Sequence, residues 1–165
     1  MRRLSVVFFA IALTLGLAGT AQAQVSVAPE VAFGDDVDLG IGAHVAAPLT
    51  SVNENLELAA RFNLFFPDGF DYWELNGDVR YLFPLPENDQ FVPYVLGGLV
   101  FGNWSFDFES DLVDVDDSTT EFGLRLGGGV KFPMDRFHPF AELGAGIGDV
   151  PDFVLRGGVA FPLGS

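Results

Sequence analysis

The chain has 165 residues, of which 49% are hydrophobic and 18 are phenylalanine, and its formal net charge is −15. So acidic a chain lacks the basic footprint that nucleic acid requires, which excludes that class of partner. The absence of cysteine excludes disulfide bonds, a lipid-modified cysteine and thiolate metal sites.

The N-terminus has the pattern of a secretory signal peptide. Arg2 and Arg3 form a positive region, residues 4–19 are apolar, and Ala21-Gln22-Ala23 supplies small residues at a cleavage site. The apolar run is shorter than the roughly 20 residues that a membrane-spanning helix needs. We therefore predict an exported protein with a signal peptide over residues 1–23 and one domain over residues 24–165. That domain has six basic residues against 23 acidic residues, a net charge of −17.

Apolar and polar residues alternate with period two along most of the domain, which predicts β-strands. Eight segments show the alternation, and each has about the length of a tilted transmembrane strand. The segments are 25–33, 37–47, 56–66, 73–83, 91–101, 122–132, 137–147 and 153–161. The phase is least clear in the fifth segment, where Tyr94, Leu96 and Val100 fall on the less apolar face.

One face of every segment lacks Asp, Glu, Lys and Arg, whereas the opposite face combines small residues with charged ones. In the third segment the apolar face is Leu56, Leu58, Ala60, Phe62, Leu64 and Phe66. Six acids and five bases share the opposite face, and we expect them to pair. These residues are Glu30, Asp38, Glu57, Arg61, Glu74, Asp78, Arg80, Arg125, Lys131, Glu142 and Arg156.

This distribution distinguishes two kinds of barrel. A soluble lipocalin-type barrel turns its apolar face inward and its charged face to water, and a membrane barrel does the reverse. A near-neutral charged face rich in glycine is typical of a narrow lumen, and large aromatic residues near the segment ends are typical of interfacial girdles. The pattern predicts an all-β fold: an eight-stranded antiparallel up-and-down transmembrane β-barrel. A secreted β-sandwich is the alternative.

Proline ends each even-numbered segment, at Pro48, Pro84, Pro133 and Pro162. Proline cannot donate to a ladder, so these positions predict turns, which we assign to the periplasmic side. The other connections would then be extracellular, and the longest is 102–121. We expect its ends to extend strands five and six above the membrane. Its acidic tip is a candidate interaction site for divalent cations or a cationic surface partner, at Asp111, Asp114, Asp116 and Asp117.

Val92-Pro93-Tyr94-Val95-Leu96-Gly97-Gly98, followed by Leu126-Gly127-Gly128-Gly129-Val130 in the next strand, resembles the Pro-Tyr-Val-Gly-rich strands of small outer-membrane barrels. On these motifs the domain resembles the OmpA and OmpX type, within the broad outer-membrane β-barrel domain family. The resemblance implies residence in the bacterial outer membrane, contact with its lipid, a monomer, and no catalytic content.

Three functions are open at this point. We favour a structural or surface-interaction barrel whose lumen is plugged by charged side chains, with no cofactor and no enzymatic activity. A narrow conduit for a small or apolar solute is the alternative, with Val92, Leu96, Val100, Phe140 and Val154 as candidate lining. A lipid-modifying enzyme would need a nucleophile and base near the outer rim. His44 and His138 both lie toward the proline turns, away from that rim.

Overall fold

A computed structural model describes residues 25–68, 71–86, 90–106 and 117–163. The predicted signal peptide therefore lies outside the described residues, as do Asp111, Asp114 and Asp116. No helix long and apolar enough to cross a membrane occurs in the part of the chain that the structure describes.

Eight antiparallel strands form one closed barrel in the order β1 to β8, which confirms the predicted fold. Each strand pairs with its neighbours in sequence, and β8 pairs with β1 to close the sheet. The strands are β1 (Val25–Gly34), β2 (Asp38–Pro48), β3 (Leu56–Phe65), β4 (Asp71–Leu82), β5 (Val92–Phe106), β6 (Asp117–Lys131), β7 (His138–Gly148) and β8 (Phe153–Leu163).

The barrel has two distinct ends. Connections β1–β2, β3–β4, β5–β6 and β7–β8 lie at one end, which we call the loop end. The other end, called the terminal end, holds the three remaining connections together with Val25 and Leu163, which are register partners. At the loop end the β1–β8 seam continues past Gly34, because the Asp35 amide donates to the Phe153 carbonyl at 3.2 Å and the Phe153 amide donates to Asp35 Oδ1 at 2.8 Å.

Burial alternates along the strands in the phase that the sequence predicts. In β4, for example, Tyr72, Glu74, Asn76, Asp78 and Arg80 are buried, and the residues between them face outward. The fifth strand follows the same rule, since Tyr94, Leu96 and Val100 are buried and Val95 and Leu99 are about half exposed. The charged face of the sequence is therefore the inside of the barrel, and the apolar face is its exterior.

Aromatic residues gather toward both ends of the exterior. The Trp73 ring lies between Phe62 and Phe101, with centroid distances of 5.9 and 5.7 Å, on the loop-end side. Near the terminal end, Tyr81 packs edge-on against Phe83 at 4.9 Å. Two aromatic bands on an apolar exterior are the arrangement expected where a barrel meets the two interfaces of a bilayer.

Strands β5 and β6 are the longest, with 15 residues each, because their pairing continues beyond the predicted segments to Phe106 and Asp117. The β6–β7 pairing starts only at Gly123. Residues 117–122 therefore pair with β5 alone, and the β5–β6 hairpin projects at the loop end as expected from the sequence. Strand β8 also runs further than its predicted segment, to Leu163, because a proline such as Pro162 can remain in a strand where its nitrogen is not needed as a donor.

Candidate functional site

The described lumen is filled by buried polar side chains. Four acids and four arginines are each no more than 5% exposed, so this layer is balanced in charge. Seven of the eight strands contribute a charged or histidine side chain, and β5 contributes Tyr94 instead. The buried polar residues are Glu30, His44, Arg61, Asn63, Glu74, Asn76, Asp78, Arg80, Arg125, Glu142 and Arg156.

Glycine makes this density of side chains possible. A Cβ on Gly98 would meet Asp78, and a Cβ on Gly144 would lie 2.8 Å from Arg125 Cδ. A Cβ on Gly127 would lie 2.9 Å from the Gly144 Cα on the neighbouring strand. Contacts this close would force the backbone or its neighbours to shift. The inward glycines therefore provide the space that long charged neighbours occupy in an eight-stranded lumen.

The first group of ion pairs, which we call the Glu142 cluster, contains Glu30, His44, Arg61, Asp78, Arg80, Tyr94 and Glu142. Arg61 is its centre, since Nη1 and Nη2 donate to the two carboxylate oxygens of Glu142 at 2.5 and 3.0 Å. Arg61 Nε lies 3.0 Å from Glu30 Oε1, and Nη1 lies 3.6 Å from Asp78 Oδ2. One guanidinium from β3 thus joins carboxylates on β1, β4 and β7.

Arg80 and His44 complete the Glu142 cluster. Arg80 Nη1 lies 3.3 Å from His44 Nε2, and Arg80 Nη2 lies 3.4 Å from Glu142 Oε2. The Arg80 guanidinium also lies over the Tyr94 ring, 5.5 Å from its centroid, and the Tyr94 hydroxyl donates to Glu142 Oε2 at 3.1 Å. His44 Nδ1 lies 2.7 Å from Glu30 Oε2.

The second group, which we call the Glu74 cluster, contains Tyr72, Glu74, Asn76, Arg125 and Arg156. Arg125 makes a bidentate pair with the Glu74 carboxylate, with both distances 3.1 Å, and Arg156 Nη2 donates to Glu74 Oε2 at 3.1 Å. Tyr72 and Asn76 each donate to Glu74 at 3.3 Å. Arg156 also lies 3.5 Å from Glu142, so it joins the two clusters.

Apolar side chains lie beyond the charged layer on both sides. Toward the loop end, Ala32, Val37, Phe65, Tyr72 and Val154 form a buried cluster, with Trp104 packed against it. Toward the terminal end, Ala28, Phe140 and Ala160 form a smaller one. The candidate conduit lining is divided between these groups, because Val154 belongs to the first and Phe140 to the second.

Ten of the eleven charged residues assigned to the lumen lie on its inner face. Glu57 and Lys131 pair at 2.7 Å near the terminal end, where both are only partly buried. The assignment is wrong for Asp38, which is exposed. Asp36 and Asp38 have positive φ angles of 64° and 56°, and this turn directs Val37 into the barrel instead. Aspartate tolerates that backbone conformation better than most residues.

Sequence reasoning did not identify His44, Tyr72, Asn76 and Tyr94 as members of the two clusters. All of them are buried on the inner face, at the same strand parity as the charged residues. That parity was the available signal, because most polar side chains buried in proteins are hydrogen-bonded.

Of the predicted outer-loop site, only Asp117 is described, at the start of β6 opposite Phe106. Asp111, Asp114 and Asp116 fall outside the described residues. Elsewhere in the described ranges, no group of three or more His, Cys, Asp or Glu side chains is arranged to hold a metal ion.

A family model described as "Outer membrane protein beta-barrel domain" matches residues 9–149. The chain belongs to this family. Membership explains the inverted distribution of side chains, since the exterior of such a barrel faces lipid and its interior is polar. The protein is therefore an outer-membrane barrel. A search of curated proteins finds no match.

Solved structures of the same fold include several outer-membrane proteins. The N-terminal β-barrel domain of Pseudomonas aeruginosa OprF has a TM-score of 0.69 and 20% identity, over 86% of this chain and 100% of that one. Neisserial surface protein A has a TM-score of 0.56 and 17% identity, over 86% and 96%. Ail of Yersinia pestis has 0.56 and 18%, over 85% and 96%. At these identities the likeness is one of fold.

Proposed function

We propose that this outer-membrane barrel is a monomeric structural protein with a closed lumen, and that any interaction with other molecules takes place at its loop end, outside the cell. The observation that carries the proposal is the balanced layer of buried charges inside the barrel. Residues 1–23 serve in this proposal as a cleaved export signal, so the mature N-terminus would be Gln24. No enzymatic role is included.

The width of the barrel supports a closed lumen. Eight strands leave an interior about wide enough for side chains alone. Arg61 spans that interior from β3 to Glu142 on β7, and Arg156 connects both clusters. The side chains of Arg125 and Arg156 are no more than 1% exposed, which supports a lumen that is closed at this layer.

Charge supports a surface role for the loop end. Four of the six basic residues of the mature domain are buried with four acids, so two basic residues remain against 19 acidic ones elsewhere. Many of these acids lie in loop-end connections, among them Asp36, Asp68, Asp149 and Asp152. Such a rim attracts cations and cationic partners and repels anionic ones. Binding sites also concentrate on loops that a rigid scaffold holds in place.

Ion flow through the purified barrel tests the closed lumen. In planar bilayers we expect no resolved single-channel conductance from the folded protein. Stable conductance steps that scale with salt concentration would contradict the proposal and favour the narrow conduit. A matched pair of variants tests which side chains block ion flow. Glu142→Ala opens the charged layer, whereas Glu57→Ala changes a partly buried pair near the terminal end.

A calcium titration tests the surface role of the loop end. If the acidic tip binds divalent cations, the isolated barrel should bind calcium saturably, and the double variant Asp114→Asn with Asp116→Asn should lose that binding. Clustered carboxylate oxygens are the ligands that calcium prefers. A flat titration would contradict ion binding at this tip, and a cationic peptide is then the remaining probe.

A further inference from the structure

His44 is a buried side chain of the Glu142 cluster. It lies on β2, faces the lumen, and is 2% exposed. The charged groups facing it are Glu30 from β1, Arg61 from β3 and Arg80 from β4, and β7 contributes the edge-on ring of Phe140 at 5.1 Å. The environment of the imidazole is therefore polar on three sides and aromatic on the fourth.

The two contacts of the ring fix the position of its proton. An arginine side chain only donates hydrogen bonds, so the 3.3 Å contact with Arg80 Nη1 requires His44 Nε2 to accept. The Glu30 carboxylate only accepts, so the 2.7 Å contact requires Nδ1 to donate. Both contacts are satisfied together by the neutral ring with its proton on Nδ1.

The surrounding charges agree with a neutral ring. Four buried acids and four buried arginines already balance, and a proton on His44 would add one uncompensated positive charge. That proton would occupy Nε2, the atom that accepts from Arg80. The contact would then set one N–H group against another, and it would bring two cations together in a poorly solvated space.

Arg80 has other partners when this contact is lost. Its Nη2 already lies 3.4 Å from Glu142 Oε2, and its guanidinium lies over Tyr94. Movement away from His44 therefore leaves Arg80 with a carboxylate and an aromatic face. Glu30 meanwhile keeps both His44 and Arg61, so the imidazolium retains its own carboxylate.

We propose that the protonation state of His44 controls the position of Arg80, and we call this contact the latch. The neutral ring holds Arg80 through Nε2; a solvent proton that binds Nε2 breaks this hydrogen bond and transfers Arg80 to Glu142 and Tyr94. Histidine is suited to the role because its ring nitrogen can either accept a hydrogen bond or carry a proton. The latch acts inside the Glu142 cluster and does not depend on whether the barrel conducts ions.

Nitrogen NMR of the folded barrel in lipid nanodiscs tests the first step, which is protonation of the neutral His44 ring at Nε2. At neutral pH, histidine selectively labelled with ¹⁵N should show His44 as the Nδ1–H tautomer, with Nε2 unprotonated. His138 is an internal reference because the chain has only these two histidines. A proton on Nε2 of His44 at neutral pH, or a ring that stays neutral down to the most acid pH at which the barrel remains folded, would overturn the proposal.

The second step is the release of Arg80 from His44. NMR of the Arg80 side-chain nitrogens follows this step as the pH falls. We expect their resonances to shift together with protonation of His44, and we expect His44→Gln to abolish that shift. Glutamine can donate to Glu30 and accept from Arg80, but it does not titrate. His138→Gln should leave the shift unchanged. An Arg80 shift that persists in His44→Gln, or that is absent while His44 protonates, would overturn the latch.

Discussion

Arg61 on β3 and Glu142 on β7 are 81 positions apart in the sequence and meet across the inside of the barrel in a two-fold hydrogen bond. The bidentate geometry is the strongest form of arginine–carboxylate contact. Both side chains are fully buried. The pair couples β3 with β7, which are not neighbours in the sheet. It links the two sides of the barrel through its interior.

Removal of one partner of this pair should destabilise the barrel strongly. Arg61→Ala leaves Glu142 and Glu30 without their shared cation, and breaking a buried pair costs about 3 to 5 kcal/mol. The measurement is the free energy of unfolding by urea in lipid vesicles. Lys131→Ala is the matched control, because the partly buried Lys131–Glu57 pair should contribute about 1 kcal/mol or less. Equal urea midpoints for the two variants would show that the interior network is well hydrated.

Glu74 should be more important to stability than either arginine that it binds. Glu74→Gln leaves Arg125 and Arg156 buried without their common carboxylate, and we expect a loss of about 3 to 5 kcal/mol. Arg125→Met is the control, because Glu74 would keep Arg156, Tyr72 and Asn76. The same urea titration measures both. A loss in Arg125→Met as large as in Glu74→Gln would contradict this ranking.

Two glycines should respond in opposite ways to the same substitution. Gly77 faces outward, a Cβ added there would have no heavy atom within 4 Å, and its φ angle is not positive. Gly77→Ala should therefore be neutral or stabilise the barrel by up to about 1 kcal/mol through the unfolded chain. Gly127→Ala places a methyl group against the β7 backbone and should lower the midpoint of unfolding. A neutral Gly127→Ala would show that the strands can separate there at little cost.

External protease should reach the loop end in intact cells. A protease site inserted at Ser110, in the connection between β5 and β6, should be cleaved, because we place this end outside the cell. A site inserted at Asp135, in the turn between β6 and β7, should be cleaved only after the outer membrane is opened. The opposite pattern would reverse the orientation.

The number of strands, their phase and the face that meets lipid could all be predicted from the amino-acid sequence. Those properties follow from the period of two, because residues 56 to 66 or 73 to 83 reveal their inner and outer faces without any knowledge of neighbouring strands. The phase holds in β5 as well, where Leu96 and Val100 offer no charge to mark the inner face. Pro48, Pro84 and Pro133 likewise lie at or just beyond the ends of β2, β4 and β6, whereas Pro162 lies within β8.

The choice of partner for each buried charge depends instead on the closed barrel. Period two places Arg61 and Glu142 on the same face, but their contact depends on the diameter of the barrel and on the register of every strand between β3 and β7. The same reason explains why the sequence assigned Asp38 to the lumen wrongly and did not identify His44 as a member of the Glu142 cluster. Asp38 leaves the lumen because a turn with positive φ interrupts the alternation, and His44 gains its role because Glu30, Arg61 and Arg80 converge on it from three other strands. Sequence periodicity is a local property, whereas convergence inside a closed sheet is a global one.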